Sequence, residues 1–223
     1  MKFWNKVLTL AWKDVLSELR SREIISSVLV FAMLVILIYI FAFGADYEKL
    51  AGVAPGLLWT TFVFAGMLSL NRAFIPEKEQ GCLEGLMVCP VSREVIYVGK
   101  ALSSMLFMLI IEAISLVAFA MLLNLPVLTF PVAVITLVTT IGFVAVGTIF
   151  SALSVNTKAR EMVLPILFLP VVIPIIIGAV KATGLALSGG TWGDYSSWFQ
   201  IIVAFDVIFL VVSFLTFDFV IVE

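Results

Sequence analysis

The stretch EKEQGCLEGLMVCPVS, residues 77–92, is the one polar interlude of any size in a chain of long apolar runs, and it decides what kind of protein this is. Helix formers fill the space between Pro76 and Pro90. Leu83, Leu86 and Met87 fall at i, i+3 and i+4, and Cys82 and Cys89 border the same stripe. Glu77 and Glu79 stand near the N-terminal end, where the helix dipole favours negative charge, and Pro90 stops the helix before the next one starts. The segment therefore reads as a short helix with one apolar face that something must cover. Two covers are open to it on this pattern: the membrane surface with the neighbouring helix ends, or a groove in a partner protein.

Of the 223 residues, 63% are hydrophobic and 13% charged, and the mean hydropathy is +1.22. Polar residues are too few to cover a globule of this size, so the bulk of the chain belongs in lipid. A formal net charge of −2 offers no basic surface for nucleic acid. The chain has no His, which removes the commonest metal ligand and general base together and excludes bis-His ligation of haem. Its two cysteines, both in the interlude, give no disulfide framework.

Six apolar runs are long enough to cross roughly 30 Å of hydrocarbon at about 1.5 Å per residue. They are residues 24–44, 51–75, 95–123, 130–155, 162–180 and 198–222. The expected fold is all-α, a polytopic membrane protein with six transmembrane helices. The first run is too long for the h-region of a cleaved signal peptide and reads as a retained anchor. Eleven of the 13 Lys and Arg residues fall at the N-terminus, around the interlude or between the fourth and fifth runs, leaving only Lys49 and Lys181 on the other side. That bias places both termini and the interlude in the cytoplasm.

Residues 1–23 are not a span. Trp4, Leu8, Ala11, Val15 and Leu19 recur at three- or four-residue steps, with Asn5, Lys6, Lys13, Asp14, Ser17, Glu18 and Arg20 mostly opposite. This is the pattern of an interfacial elbow helix lying in the membrane surface. Short connections such as SVNTKAR and NLPVLTF force neighbouring spans to run antiparallel side by side. With no internal repeat and no soluble domain, residues 1–223 read as a single transmembrane domain.

LNRAFIPEKEQGCLEGLMVCPVSREVIYVGKALS, residues 70–103, resembles the segment of ABC-2 type exporter permeases that forms the coupling helix docking on the ATPase subunit. The matching elements are Glu79, Gly81, Leu83, Glu84, Leu86, Pro90, Ser92, Gly99 and Lys100. Cys82 stands where that pattern often has Thr. Within the superfamily the chain resembles the CcmB family, haem exporter protein B of cytochrome c biogenesis. Leu70 to Arg72 at the end of the second run and the proline-rich LPILFLPVVIPIIIG of the fifth carry that likeness.

The resemblance implies an ATPase-coupling surface at Glu79, Gly81, Leu83, Glu84, Leu86, Met87 and Pro90, in a coupling helix over residues 77–90. It also implies a complex with a cytosolic CcmA-like ATPase that binds ATP and Mg, a CcmC-like haem-handling subunit, a small CcmD-like subunit, a CcmE-like haem chaperone and a second copy of this chain. Haem would be a substrate of that complex, with no cofactor bound by this chain. The chain is not itself the ATPase: in VGKALS the P-loop pattern fails at Glu94, where the first glycine should be, and at Ala101, where Mg²⁺ wants a hydroxyl. An ABC-2 permease for a drug, lipid or polysaccharide, and a non-transporting membrane scaffold, remain alternatives on the residues alone.

Three further groups invite a functional reading. Pro165, Pro170 and Pro174 each remove a backbone donor in the fifth span, which is expected to be packed by neighbours and to act as a hinge or a fixed kink. Glu112 and Asp206 lie within spans, where a carboxyl costs about 2.5 to 3.5 kcal/mol on insertion scales. Both are expected to face the bundle, as a structural polar contact or a substrate contact. Asp218 is expected to reach the interface. Trp192, Tyr195 and Trp198 fall in an expected outer loop, KATGLALSGGTWGDYSSW, and read as interfacial belt residues. A platform for haem or its chaperone is the sharper reading, but the loop lacks the tryptophan-rich WWD-like signature of the haem-handling subunit, so no haem site is placed there.

Overall fold

The computed structural model describes residues 3–21, 23–43, 47–74, 78, 92–155, 157 and 160–220. Among these residues the chain is all helix: α1 (Phe3–Ser21), α2 (Glu23–Phe43), α3 (Tyr47–Arg72), α4 (Arg93–Leu123), α5 (Phe130–Val155), α6 (Arg160–Leu187) and α7 (Trp192–Val220). Helices are what lipid permits, because each backbone donor then finds its acceptor within its own segment. Five of them, α3 to α7, are long and apolar enough to cross a membrane. Helix α2 spans 21 residues, with an apolar stretch over Val30–Phe43.

The apolar periodicity sets the layering. Helices α3 and α5 form the centre, 72% of the membrane-length window of each being buried, against 22% for α7. Helix α5 packs on α4, α6 and α7, and α3 packs on α2, α4 and α6. The core runs through Phe62, Phe143, Phe168, Val172 and Ile202. Polar side chains inside it bond to their own helices: Thr61 to Leu57 O, Thr148 to Val144 O and Thr140 to Thr136 O, at 3.0, 2.8 and 2.8 Å. Such back-bonding satisfies a hydroxyl that has no water to turn to.

Two boundaries differ from the sequence expectation. Helix α6 continues past residue 180 to Leu187, and α7 starts at Trp192, so the expected outer loop shrinks to residues 188–191. Gly189 supplies the reason: at φ +81° it ends α6 in a Schellman motif, with Gly190 N donating to Leu185 O (2.9 Å) and Gly189 N to Ala186 O (3.3 Å). Thr191 then caps α7, and Asp194 Oδ2 reaches back to accept from Thr191 N at 2.6 Å and Thr191 Oγ1 at 2.9 Å, a capping box. Trp192, Tyr195 and Trp198 consequently sit on the first turns of α7, Trp192 with its ring edge-on to Tyr195 and Phe199.

Close helix approaches depend on glycines. A Cβ at Gly66 of α3 would run into the Phe143 ring and Met108, and Phe143 is held edge-on against Phe168 at 4.7 Å. Around Gly52 there is open space instead. Gly66→Ala is expected to lower stability by about 1–3 kcal/mol through overpacking. Gly52→Ala should leave it unchanged or slightly raised, since alanine favours the helix. Thermal unfolding of the two variants in detergent checks the contrast.

Candidate functional site

The coupling residues expected from the sequence, Glu79, Gly81, Leu83, Glu84, Leu86, Met87 and Pro90, lie outside the described residues. What the structure does give is the frame that holds both ends of their segment. On the entry side α3 runs to Arg72, and Lys78 N donates to Phe74 O at 3.3 Å. On the exit side Ser92, in extended backbone, precedes α4.

Phe74 is buried with Ile96, Tyr97, Ile149, Ala152 and Phe217 in a small apolar core of its own at this end of the bundle. Two hydrogen bonds fasten helices across it. Tyr97 Oη donates to Ala145 O at 3.2 Å, and Ser151 Oγ donates to Leu70 O. Leu70 itself fills the space over Gly147, where no Cβ would fit.

Lys100 is the centre of the frame. Its side chain is 2% exposed, and Nζ lies 3.0 Å from Asp14 Oδ2 of α1, donates to Ala73 O at 2.6 Å and stands 5.2 Å from the Phe74 ring centroid. A buried ammonium demands such a set of partners, and the Ala73 carbonyl at the end of α3 is also where the helix dipole favours a cation. At the adjacent residue the surfaces of α1 and α4 meet without clearance, since a Cβ at Gly99 would lie 2.7 Å from Leu10 Cδ2. The Gly99–Lys100 pair, matched above to a family motif, thus joins three elements: α1, the end of α3 and the start of α4.

Sequence reasoning missed the role of Asp14 and the packing of part of α1 against α4. Val7, Ala11 and Val15 are buried against α4, with Leu10 and Asp14 partly buried beside them. Trp4 and Leu8, expected on that same face, are exposed together with Trp12 and Leu16. Leu19's side chain lies outside the described set. The helix therefore carries two apolar stripes, one spent on α4. A signal was present: Val7, Ala11 and Asp14 share a face at four- and three-residue steps. Lys100, counted among the loop cations, is a buried ion-pair member, and the charge bias survives its removal.

The two intramembrane carboxyls face the bundle as expected. Glu112 is 1% exposed, and Thr140 Oγ1 of α5 lies 2.8 Å from its Oε1 and 3.0 Å from its Oε2. Asp206 of α7 is buried with Oδ1 against the backbone at Gly142, and among the described residues no hydrogen-bond donor meets that atom. Glu112 and Asp206 thus attach to the same helix, α5. Asp218's side chain lies outside the described residues.

Helix α6, the expected fifth span, packs on α3, α5 and α7. Pro165 is half-buried, but Pro170 and Pro174 are exposed, on the face of α6 opposite the buried Leu164, Phe168, Val172 and Ile175. The packed stripe buries one side of the helix, while the rings of Pro170 and Pro174 lie on the side away from the bundle. Among the described residues no cluster of three or more His, Cys, Asp or Glu could hold a metal ion.

Comparison with known proteins fixes the lineage. The family model described as CcmB protein matches residues 5–221. The chain belongs to the CcmB family. Three relatives carry the name heme exporter protein B. The one from Pseudomonas aeruginosa is 31% identical over 167 residues, covering 72% of this chain and 75% of the relative. The Rhodobacter capsulatus protein is 32% identical over 165 residues, 71% and 76% of the two chains. The Bradyrhizobium diazoefficiens protein is 28% identical over 184 residues, 82% of each. In this CcmB-family chain the match spans the frame, the segment it holds and the proline-bearing α6 alike.

Three outcomes test these contacts. Lys100→Ala is expected to cost about 2–3 kcal/mol, less than a fully enclosed pair because Asp14 keeps 15% exposure. The double variant Asp14→Ala with Lys100→Ala should lose less than the two singles summed, by about 1 kcal/mol, in a cycle of unfolding measurements in detergent. Thr140→Val should destabilise more than Thr148→Val, because only the first strips Glu112 of its hydroxyl partner.

Proposed function

We propose that this chain is the permease subunit of an ATP-driven complex that supports haem delivery in cytochrome c biogenesis. The observation that carries the reading is the match to CcmB over residues 5–221, together with a frame that anchors both ends of the 75–91 segment. A docking helix can transmit force only if its stems are firm. Here one stem is tied by Lys100 to Ala73 and the other continues directly into α4.

In this reading all six long helices, α2 included, cross the bacterial inner membrane, and both termini are cytoplasmic, as the distribution of Lys and Arg favours. At about 1.5 Å per residue, the 21 residues of α2 suffice for the hydrocarbon layer. The exposed stripe of Trp4, Leu8, Trp12 and Leu16 on α1 suits an elbow helix in the membrane interface. ATP and Mg²⁺ belong to a CcmA-like partner that grips Glu79 to Pro90. A CcmC-like and a CcmD-like membrane subunit and a CcmE-like haem chaperone complete the assembly, with two copies of this chain meeting two ATPase subunits.

Coupling then works by rigid-body rocking. ATP binding and hydrolysis move the partner's groove, the 77–90 segment follows, and the frame passes the displacement to α1, α3 and α4 together. Leu86→Asp places a charge on the apolar face offered to the ATPase. It is expected to abolish co-purification of that subunit while the detergent-solubilised chain keeps its unfolding temperature. Undiminished co-purification would sink the docking assignment.

A further inference from the structure

A cleft of about 770 Å³ opens at the end of the bundle opposite α1, between the first half of α3, the last turns of α6 and Tyr39 of α2. Its volume lies in the range of about 300–1,000 Å³ typical of small-molecule sites. Pro55 of α3 and Gly184 of α6 meet at its floor, a Cβ at Gly184 coming to 3.5 Å from Pro55 Cγ. Trp59 Nε1 donates to Thr183 Oγ1 at 3.0 Å and pins the same two helices. The space above is left clear by Gly52 and Gly56, neither of which would bring a Cβ within 4 Å of another atom.

The polar chemistry of the lining is one-sided. Pro55 has no N–H, so the Ala51 carbonyl loses its helical donor. Thr60 and Ser188 spend their hydroxyl protons on Gly56 O and Leu185 O, at 2.7 and 2.9 Å. Two side-chain donors remain, the Tyr39 phenol and the Lys181 ammonium, and Lys181 is the lone charged side chain of the lining. No carboxylate among the described residues pairs with it. The remainder of the lining, such as Val53, Leu57, Val180 and Leu187, is apolar.

We infer that this cleft binds an amphiphile with a compact apolar body and an anionic head, the body resting over Gly52 and Gly56 and the head meeting Lys181 and Tyr39. A lone cation over an apolar cleft is complementary to that class and to neither a sugar nor a metal ion. Two sources offer this chemistry at a membrane, a carboxylate-bearing porphyrin such as haem and an anionic phospholipid. The site stands apart from the ATPase reading, since it lies at the other end of the molecule, and either can fail while the other holds.

The test uses the full chain in nanodiscs. Haemin is titrated and followed by its absorption shift and by quenching of tryptophan fluorescence, with porphyrin dimethyl ester as the uncharged probe. Lipids retained by the purified chain are identified by native mass spectrometry in discs with and without phosphatidylglycerol. Lys181→Glu and Gly56→Leu are expected to weaken the bound amphiphile at least tenfold, whereas Lys181→Arg retains it. Unfolding temperatures verify that the variants fold. Haemin that binds at one per chain and prefers its free acids over the ester assigns the porphyrin. Phosphatidylglycerol retained by the native chain and lost from Lys181→Glu assigns the lipid. Binding of both classes that is indifferent to Lys181→Glu and Gly56→Leu overturns the site.

Discussion

In hydrocarbon no polar group can turn to water, and each feature of this chain that carries chemistry is a response to that constraint. The backbone answers by being helical. The threonines answer by bonding to carbonyls one turn back on their own helices. Glu112 finds a hydroxyl on the next helix, and Lys100 finds a carboxylate, a terminal carbonyl and an aromatic ring. Such satisfaction can be local or can reach across helices, and the second kind decides which helices move together. Lys100 is the strongest instance, because its three partners sit on α1, at the end of α3 and just beyond it.

The helices themselves were legible because lipid enforces length and apolarity, which are properties of composition rather than of tertiary detail. Helix α4, for example, ends at Leu123 as read, where Asn124 takes the left-handed conformation at φ 50°. The misread boundary lay where polarity and helicity part company. Lys181, Thr183 and Ser188 are polar enough to look like a loop, yet the helix runs on until Gly189 can adopt positive φ. The Thr191 and Asp194 pair was in plain sight as a capping box, and it marks where α7 begins.

The candidate site was legible in type and only partly in placement. Glu112 and Asp206 were found by their depth, since a carboxyl inside a span must face the bundle. The role of Lys100 was hidden because a cation near a span's end looks the same whether it lies in water or in an ion pair. Only the approach of α1, set by Gly99 against Leu10, brings Asp14 to it. The single stripe read from Trp4 to Leu19 divides for the same reason, Ala11 and Val15 packing on α4 while Trp4 and Leu8 stay exposed. A helix with two apolar stripes gives one broad hydrophobic pattern, and the stripe that packs is chosen by the partner's shape.

Helix α3 connects the two ends of the molecule on which these readings rest. Its 26 residues make a rod of about 39 Å at 1.5 Å rise per residue. Near the frame it is bolted to α5 through Ser151 and the Leu70 seat over Gly147, and to α4 through the Lys100 bond at Ala73. Near the cleft it is bolted to α6 by the hydrogen bond of Trp59 to Thr183. The half of α3 beside the frame therefore cannot bend without breaking buried polar contacts. The softer place is Pro55, where a backbone bond is already missing and Gly52 and Gly56 leave room on one side. A change of angle in α3 is therefore easiest at Pro55, and the volume that it would alter first is that of the cleft beside it.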